Sequence, residues 1–270
     1  MNVTIKKVAG PAPYPGMLSD AQRQRVQNDV ARIVRATVQD RLDFAPAGAE
    51  ARALDAVSAF FSLYEERPVR DNAGGSGFND SLWLYVLARV FQPRMIVESG
   101  VHKGHSTWLF RRACPEAVIH CFDIDLSKLV YRDDKARYYE QDWMDAALDI
   151  PDEGSRLVFF DDHISHARRL GEAKGRGFDL ALFDDNFPAH HLYATGGPPV
   201  PTLAMVMDPD LAPEREIAWT RNGKSYRYLC DRQEILDARA LINRYEVMPE
   251  LASVTRYSAG SNLSLVKTGE

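Results

Sequence analysis

The segment 94–107, Arg-Met-Ile-Val-Glu-Ser-Gly-Val-His-Lys-Gly-His-Ser-Thr, decides the fold of this chain. It opens with a short apolar run that ends at Glu98 and Ser99, which predicts a buried strand. Gly100 then permits a tight turn, and Gly104 allows the loop to enter a helix. A strand, a glycine turn and a helix in this order are typical of the first unit of a parallel α/β sheet.

Units of the same kind follow. Helices predicted over 81–91, 105–114 and 166–174 alternate with strands predicted over 94–99, 117–123, 136–141, 156–160 and 178–183. Helical crossovers between strands indicate a parallel sheet with helices on both faces. A helix is predicted over 231–245, and 251–257 and 262–267 are predicted to form an antiparallel hairpin. The expected fold class is therefore α/β, a doubly wound, mostly parallel seven-stranded sheet with an antiparallel C-terminal hairpin.

The N-terminal part predicts a helical extension. Residues 1–17 are rich in Pro and Gly and predict an extended arm. An apolar stripe over 18–42 predicts a helix that Ser19 and Asp20 can cap. A second apolar face runs from Leu54 to Tyr64. Residues 71–80 predict a loop, either a connector or a mobile lid beside a ligand. We expect residues 1–80 to form the arm and helical extension and residues 81–270 to form the sheet domain.

Composition excludes several classes of protein. The 270 residues are 45% hydrophobic and 26% charged, as in globular proteins. A net charge of −5 argues against a nucleic-acid partner. Three cysteines without a paired motif fit a reducing cytoplasm. The longest apolar stretch, 82–91, is too short to span a membrane. The sequence leaves open whether the chain forms a homo-oligomer.

Acidic residues end the first two predicted strands. Glu98 ends a buried strand, where a carboxylate is costly unless a cation or several hydrogen-bond donors meet it. Asp123 ends the next strand, where an acid typically binds a ribose diol. Ligands of such sheets bind at the carboxyl ends of the strands, so these residues indicate a binding crevice there.

The segment 97–106 resembles motif I of class I S-adenosylmethionine-dependent methyltransferases. It is similar to the E-x-G-x-x-x-G-x-S variant of catechol O-methyltransferase and the macrocin O-methyltransferase group. His102 stands where the wider class has a glycine. The resemblance covers about 81–186 and implies a Rossmann-like methyltransferase sheet. The G-x-G-x-x-G motif of a dinucleotide dehydrogenase would need glycines at His102 and His105, so that class is the weaker alternative.

The resemblance also implies how S-adenosylmethionine is bound. Glu98 would lie by the methionine ammonium, through Ser99, Gly100 and water, and Asp123 would hold the ribose hydroxyls. Asp142 would accept from the adenine amino group, and Trp143 would lie beside its ring unless it is simply a core aromatic. The residues that this reading assigns to the cofactor are Glu98, Ser99, Gly100, Gly104, Ser106, Asp123, Asp142, Trp143 and His163.

Two acidic clusters follow the fourth and fifth predicted strands, at 161–163 and 184–186. Carboxylates at neighbouring strand ends repel each other unless a cation lies between them, and oxygen ligands suit Mg²⁺. The resemblance implies Asp162, Asp185 and Asn186 as the ligands. Because each cluster contains two aspartates, the assignment is open by one position. The alternative is that these acids cap helices or face solvent.

The predicted reaction is methyl transfer from S-adenosylmethionine to a hydroxyl of a small molecule, assisted by a divalent metal ion. The acceptor would be a sugar, a glycoside or a secondary metabolite. Ser165 replaces the family's lysine, so His166 and His163, with Asp162, are the predicted catalytic residues. His190, His191 and Tyr193 are candidates for acceptor binding. The alternatives are a non-catalytic binding protein with this fold and an NAD-dependent oxidoreductase.

Overall fold

A computed structural model describes residues 19–151, 153–194, 197–211, 214–221 and 223–269, apart from the side chains of 193 and 194. The predicted arm over 1–17 lies outside these residues. The main sheet has seven strands in the order β3-β2-β1-β4-β5-β9-β8. These strands are β1 Met95–Ser99, β2 Val118–Asp123, β3 Arg137–Glu140, β4 Arg156–Phe160, β5 Leu180–Phe183, β8 Ile242–Val247 and β9 Ser264–Thr268.

Strands β1 to β5 are parallel, and β9 runs antiparallel to both β5 and β8. The predicted fold class, a mostly parallel seven-stranded sheet with antiparallel C-terminal strands, is therefore confirmed. The helices are α1 Asp20–Asp40, α2 Ala49–Glu65, α3 Phe78–Phe91, α4 His105–Ala113, α5 His166–Gly175, α6 Leu203–Val206, α7 Arg232–Leu241 and α8 Ala252–Thr255. Within the described ranges, no helix is long and apolar enough to cross a membrane.

Both faces of the sheet are buried. Successive side chains of a strand point to opposite faces, so Ile96 packs in one hydrophobic cluster and Val97 in another. The first cluster also contains Val30 of α1 and Phe60 of α2. The N-terminal helices thus pack into the same core as one face of the sheet. Helix α1 begins with a capping box between Ser19 and Gln22, in agreement with the predicted cap.

The C-terminal strand pair differs from its predicted bounds. The predicted helix over 231–245 ends at Leu241, and the next six residues form β8. Segment 251–257 is not a strand, because Ala252–Thr255 is a helical turn whose Thr255 hydroxyl donates to Asn79 on α3 at 2.8 Å. Pairing with β9 gives 242–247 a sheet partner, and this tertiary contact overrides the local helical pattern.

A second, two-stranded sheet was not predicted. Strand β6, Glu216–Arg221, pairs antiparallel with β7, Lys224–Leu229. Its inward side chains, among them Ile217, Trp219 and Tyr228, cover a small apolar cluster that contains Leu192. This hairpin therefore packs over the segment that follows β5.

Candidate functional site

A cavity of about 430 Å³ opens at the carboxyl ends of β1, β2, β3 and β4. A volume in this range is typical of sites that bind small molecules. Gly74 borders the cavity, so the predicted loop, which ends at Gly77 where α3 begins, lies beside it. The lining residues are Gly74, Ser99, Gly100, His102, Phe122, Asp123, Ile124, Asp125, Lys128, Gln141, Asp142, Asp161, Asp162, His163, Ile164 and Arg169.

Two glycines shape the loop between β1 and α4. Gly100 has φ +95°, and a Cβ at this position would lie 2.2 Å from the carbonyl oxygen of Asp161. Gly104 has φ +84°, and its Cβ would lie 2.3 Å from the carbonyl oxygen of Tyr131. Since both positions need a left-handed backbone and close contact with another chain segment, only glycine fits either of them.

Asp123 binds the backbone of this loop. Its Oδ2 accepts hydrogen bonds from the amides of Val101 and His102 at 2.9 and 2.8 Å. Its Oδ1 accepts from the amide of Asp125 at 3.0 Å. Asp123, at the end of β2, thereby fixes the loop. The two loop amides that donate to it are then not free to bind an anionic ligand.

Glu98 lies beneath the cavity rather than in its wall. Its carboxylate is fully buried and accepts hydrogen bonds from the hydroxyls of Ser106 and Thr107. Burial raises the pKa of Glu98 to about 7, against the lowering effect of these hydroxyls. Glu98, Gly104 and Ser106 do not line the cavity. Gly104 and Ser106 lie at the start of α4, outside the cavity wall. The predicted role of Glu98, which reaches the methionine ammonium through Ser99, Gly100 and water, stays a prediction.

Arg169, which the sequence reading missed, binds two of the predicted site residues. Its Nη1 and Nη2 donate to the two carboxylate oxygens of Asp142 at 3.2 and 2.7 Å. Its Nε donates to Oδ2 of Asp162 at 2.9 Å, and the same oxygen accepts from Ser99 Oγ at 2.6 Å. Burial raises the pKa of Asp142, but its bonds with Arg169 outweigh this and hold that pKa below its usual range.

Trp143 does not line the cavity. Its ring is fully buried and packs edge-on against Phe160 and Phe178, while its Nε1 donates to Glu172 at 3.2 Å. The predicted place beside the adenine ring is therefore corrected, and Trp143 is a core aromatic. Its neighbours Gln141 and Asp142 do face the cavity.

Two of the three predicted metal ligands, Asp162 and Asn186, are held by hydrogen bonds within the protein, while Asp185 Oδ2 lies 3.9 Å from His163 Nε2. Both oxygens of Asp162 already accept hydrogen bonds. Its Oδ2 accepts from Arg169 and Ser99, and its Oδ1 accepts from the amide of Ile164 at 3.1 Å. Asn186 is 1% exposed, and its amide donates to Tyr245 and Ser264 while its oxygen accepts from the amide of Ala204. In the described part of the chain, no three His, Cys, Asp or Glu side chains are arranged to hold a metal ion.

The remaining aspartates of the two acidic clusters, Asp161 and Asp184, face each other. Asp161 and Asp184 approach each other closely enough to share a hydrogen bond, and Ser261 Oγ also donates to Asp184. Burial, together with the neighbouring carboxylates, raises the pKa of Asp161 and takes that of Asp184 to about 8. Burial likewise raises the pKa of Asp80, which lies beside this pair, to about 6. Asp184, with a pKa of about 8, is therefore mostly protonated at neutral pH.

The two predicted catalytic histidines have different surroundings. His166 is 2% exposed, packs on Phe183 and does not line the cavity, and burial lowers its pKa to about 3. It is therefore not placed to take a proton from an acceptor. His163 lines the cavity rim, with Nδ1 2.7 Å from the carbonyl oxygen of Gly197 and Nε2 3.9 Å from Asp185 Oδ2.

The candidates for acceptor binding lie elsewhere. His190 and His191 are exposed on a short helical segment, Ala189–Ala194, and neither of them lines the cavity. Their rings contact each other at a centroid distance of 4.3 Å. The side chain of Tyr193 lies outside the described residues.

Comparison with known proteins gives similarity in structure only. No family model and no curated protein matches this chain. The S-adenosylhomocysteine-bound methyltransferase PaMTH1 of Podospora anserina aligns over 97% of this chain and all of its own, at 14% identity and a TM-score of 0.45. The O-methyltransferase TomG of Streptomyces achromogenes, involved in tomaymycin synthesis and solved with S-adenosylmethionine, aligns over 88% of this chain and 98% of its own, also at 14% and 0.45.

Identities and scores of this size do not establish activity. The fold assignment rests on the sheet itself, in which β1 to β5 are parallel and β9 runs antiparallel to both of its neighbours, β5 and β8, as in the predicted Rossmann-like methyltransferase fold. The structure thus establishes this fold and a cavity at the carboxyl ends of β1, β2, β3 and β4.

Proposed function

We propose that this protein is an S-adenosylmethionine-dependent O-methyltransferase that acts on a hydroxyl of a small molecule. The observation that carries the proposal is the acidic cavity, in which the glycine loop is fixed by Asp123. Carboxylates from Asp123, Asp125, Asp142 and Asp162 line it, together with the cations Lys128 and Arg169.

The charge of this cavity favours a sulfonium cofactor over a dinucleotide. S-adenosylmethionine carries a positive sulfur and a positive ammonium group, which neighbouring carboxylates stabilise. A dinucleotide would bring a pyrophosphate, which needs free backbone amides at a helix N-terminus. The amides of Val101 and His102 already donate to Asp123. An NAD-dependent activity therefore fits this site poorly.

The residues present suit the parts of the cofactor. Ser99 and Gly100 line the cavity beside the loop and would hold the methionine part. Asp123 accepts three hydrogen bonds from backbone amides, and a carboxylate can accept about four, so one place is left for a ribose hydroxyl. Ile124 is 83% exposed at the cavity rim and offers an apolar surface to the adenine ring, next to Gln141.

His163 is our proposed proton acceptor. The bound cofactor supplies an electrophilic methyl group, and the acceptor hydroxyl must lose its proton as its oxygen attacks. Since a carbonyl only accepts hydrogen bonds, Gly197 requires the proton of His163 to be on Nδ1. Nε2 is then free to take the proton, and the nearby Asp185 carboxylate stabilises the imidazolium that forms. Asp162 holds the cavity wall through Ser99 and does not react.

The first test separates the two cofactor classes. We expect S-adenosylhomocysteine to raise the melting temperature and NAD to leave it unchanged. A ligand at 100 times its Kd stabilises the fold by about 2.7 kcal/mol, which for a chain of this size is a shift of roughly 5–10 °C. Differential scanning fluorimetry measures both shifts. A shift with NAD alone would overturn the proposal, and binding of S-adenosylhomocysteine without product from any hydroxyl acceptor would favour the non-catalytic alternative.

The second test concerns the metal. Because Asp162 and Asn186 are bound within the protein, we derive no step through a divalent ion and expect turnover to be insensitive to chelation. Methyl transfer from radiolabelled S-adenosylmethionine to a panel of sugars, glycosides and phenolic metabolites would be measured with EDTA and with Mg²⁺. Equal rates within about twofold are expected, since a metal that activates the acceptor would supply several kcal/mol. Loss of activity in EDTA that Mg²⁺ restores would show that a metal site forms with the acceptor.

A further inference from the structure

We infer that Arg169 is a positioning residue that fixes both ends of the cofactor cavity through one buried guanidinium. The inference rests on the proposed function, because it assigns Asp142 to the adenine end and Ser99 to the methionine end. The Arg169 side chain is 2% exposed, and its guanidinium makes four hydrogen bonds to three carboxylates.

All hydrogen bonds given for this guanidinium go to carboxylates. Nε donates to Asp162 at 2.9 Å and Nη2 donates to Asp142 at 2.7 Å, while Nη2 also lies 2.8 Å from Asp162 Oδ2 as an ion pair. Nη1 donates to Asp142 at 3.2 Å and to Glu172 at 2.6 Å. Four of the five N–H donors of the planar guanidinium thus bind three carboxylates. The arrangement therefore depends on the planar fork, not only on the positive charge.

The network extends from α5 to three strand ends. Asp162 follows β4 and accepts from Ser99 Oγ at the end of β1, directly before Gly100. Asp142 follows β3 and also caps the next turn by accepting from the amide of Met144 at 2.9 Å. Arg169 thereby ties the start of the glycine loop to the segment that faces the adenine end.

The negative charges of the surrounding carboxylates make the positive guanidinium of Arg169 necessary. Asp142, Asp162 and Glu172 would place three carboxylates around one buried point, and like charges there repel strongly without a cation. Lysine would keep the charge, but its ammonium has three donors and no planar fork. It could not hold both cavity carboxylates and Glu172 in the same geometry. We therefore expect a lysine at this position to disturb the cavity wall while keeping the fold.

The experiment measures binding of S-adenosylhomocysteine by calorimetry in the full-length wild type, Arg169→Lys and Asp162→Asn, with circular dichroism to establish folding. Arg169→Lys is expected to weaken binding about tenfold to a hundredfold, the range of couplings within one hydrogen-bonded network. Methyl-transfer kinetics should show the loss mainly in KM for the cofactor. In the Asp162→Asn background, Arg169→Lys should cost less, because the link through Asp162 is already broken.

Arg168→Lys is the matched control. Arg168 is the adjacent residue of α5 and also binds Glu172, at 2.7 Å, but its side chain is 58% exposed and does not line the cavity. We expect its S-adenosylhomocysteine affinity to change by less than about twofold, as for exposed ion pairs. A merely structural Arg169 would lower the melting temperature and leave the affinity of the folded variant unchanged.

The outcomes distinguish this inference from the proposed function. If the wild type does not bind S-adenosylhomocysteine, the proposed function fails. If the wild type binds and Arg169→Lys binds equally well, only the inference fails. Should Arg169→Lys not fold, Asp162→Asn decides, because unchanged affinity in that variant would mean that the link to Ser99 does not position the cofactor.

Discussion

Replacing Gly100 with valine is expected to reduce S-adenosylhomocysteine binding by more than about a hundredfold. The new Cβ would lie 2.2 Å from the carbonyl oxygen of Asp161, and the backbone at this position has φ +95°. Strain of this kind costs about 1–3 kcal/mol, so the end of β4 must shift to relieve the clash. Asp161 and Asp162 line the cavity and would move with it. Calorimetry with S-adenosylhomocysteine measures the affinity.

Gly171→Ala provides the control for this prediction. Gly171 lies within α5, and a Cβ there would have no neighbour within 4 Å. Alanine should stabilise the helix by about 0.5–1 kcal/mol and leave the cofactor affinity unchanged. Circular dichroism of Gly100→Val shows whether the fold survives. A folded Gly100→Val protein with wild-type affinity would mean that the glycine loop does not form the binding site.

The parallel sheet was predictable because its signal is local. Buried strands such as 156–160, Arg-Leu-Val-Phe-Phe, are short apolar runs, and each is followed by polar residues that mark its end. Such runs are apolar at successive positions, and not only at alternate ones, because both faces of the sheet are covered, as Phe159 and Phe160 show by packing in different clusters.

The edge of the sheet was less predictable. Segment 242–247, Ile-Asn-Arg-Tyr-Glu-Val, continues a helical pattern but pairs with β9, and only the tertiary contact decides between the two. The missed hairpin did have a local signal. Residues 216–229, Glu-Ile-Ala-Trp-Thr-Arg-Asn-Gly-Lys-Ser-Tyr-Arg-Tyr-Leu, place Asn-Gly between two alternating segments, which is the strongest short-range indication of a hairpin.

At the site, the sequence predicted which residues line the cavity better than it predicted which side chains bind one another. Residues at four strand ends do face one cavity, among them Ser99, Asp123, Asp142 and Asp162. Arg169, the cation that binds Asp142 and Asp162, lies within α5. The pattern of polar residues at strand ends therefore cannot predict it. A signal existed in the helix itself, because Arg169 lies on its buried face with His166, Leu170 and Ala173, at spacings of three and four residues. An arginine on an apolar helix face needs buried acids as partners.

Substitution of His163 by glutamine is expected to lower the turnover number by about 10²–10⁴-fold, the usual contribution of a positioned base. Glutamine keeps the size and polarity of the side chain, but its amide cannot take a proton at neutral pH. The hydrogen bond to the Gly197 carbonyl at 2.7 Å can be kept by the amide NH₂, so the rim of the cavity should be preserved. Because His163 also borders the cofactor cavity, S-adenosylhomocysteine affinity must be measured beside the kinetics.

The kinetic pattern separates the two roles of His163. Loss of a base lowers turnover at saturating cofactor and leaves S-adenosylhomocysteine affinity nearly unchanged, whereas loss of a cofactor contact weakens that affinity. His190→Gln is the matched control, since His190 is exposed and outside the cavity, and it should keep wild-type turnover. If His163→Gln also keeps wild-type turnover, His163 is not the base and the proton must go to another group.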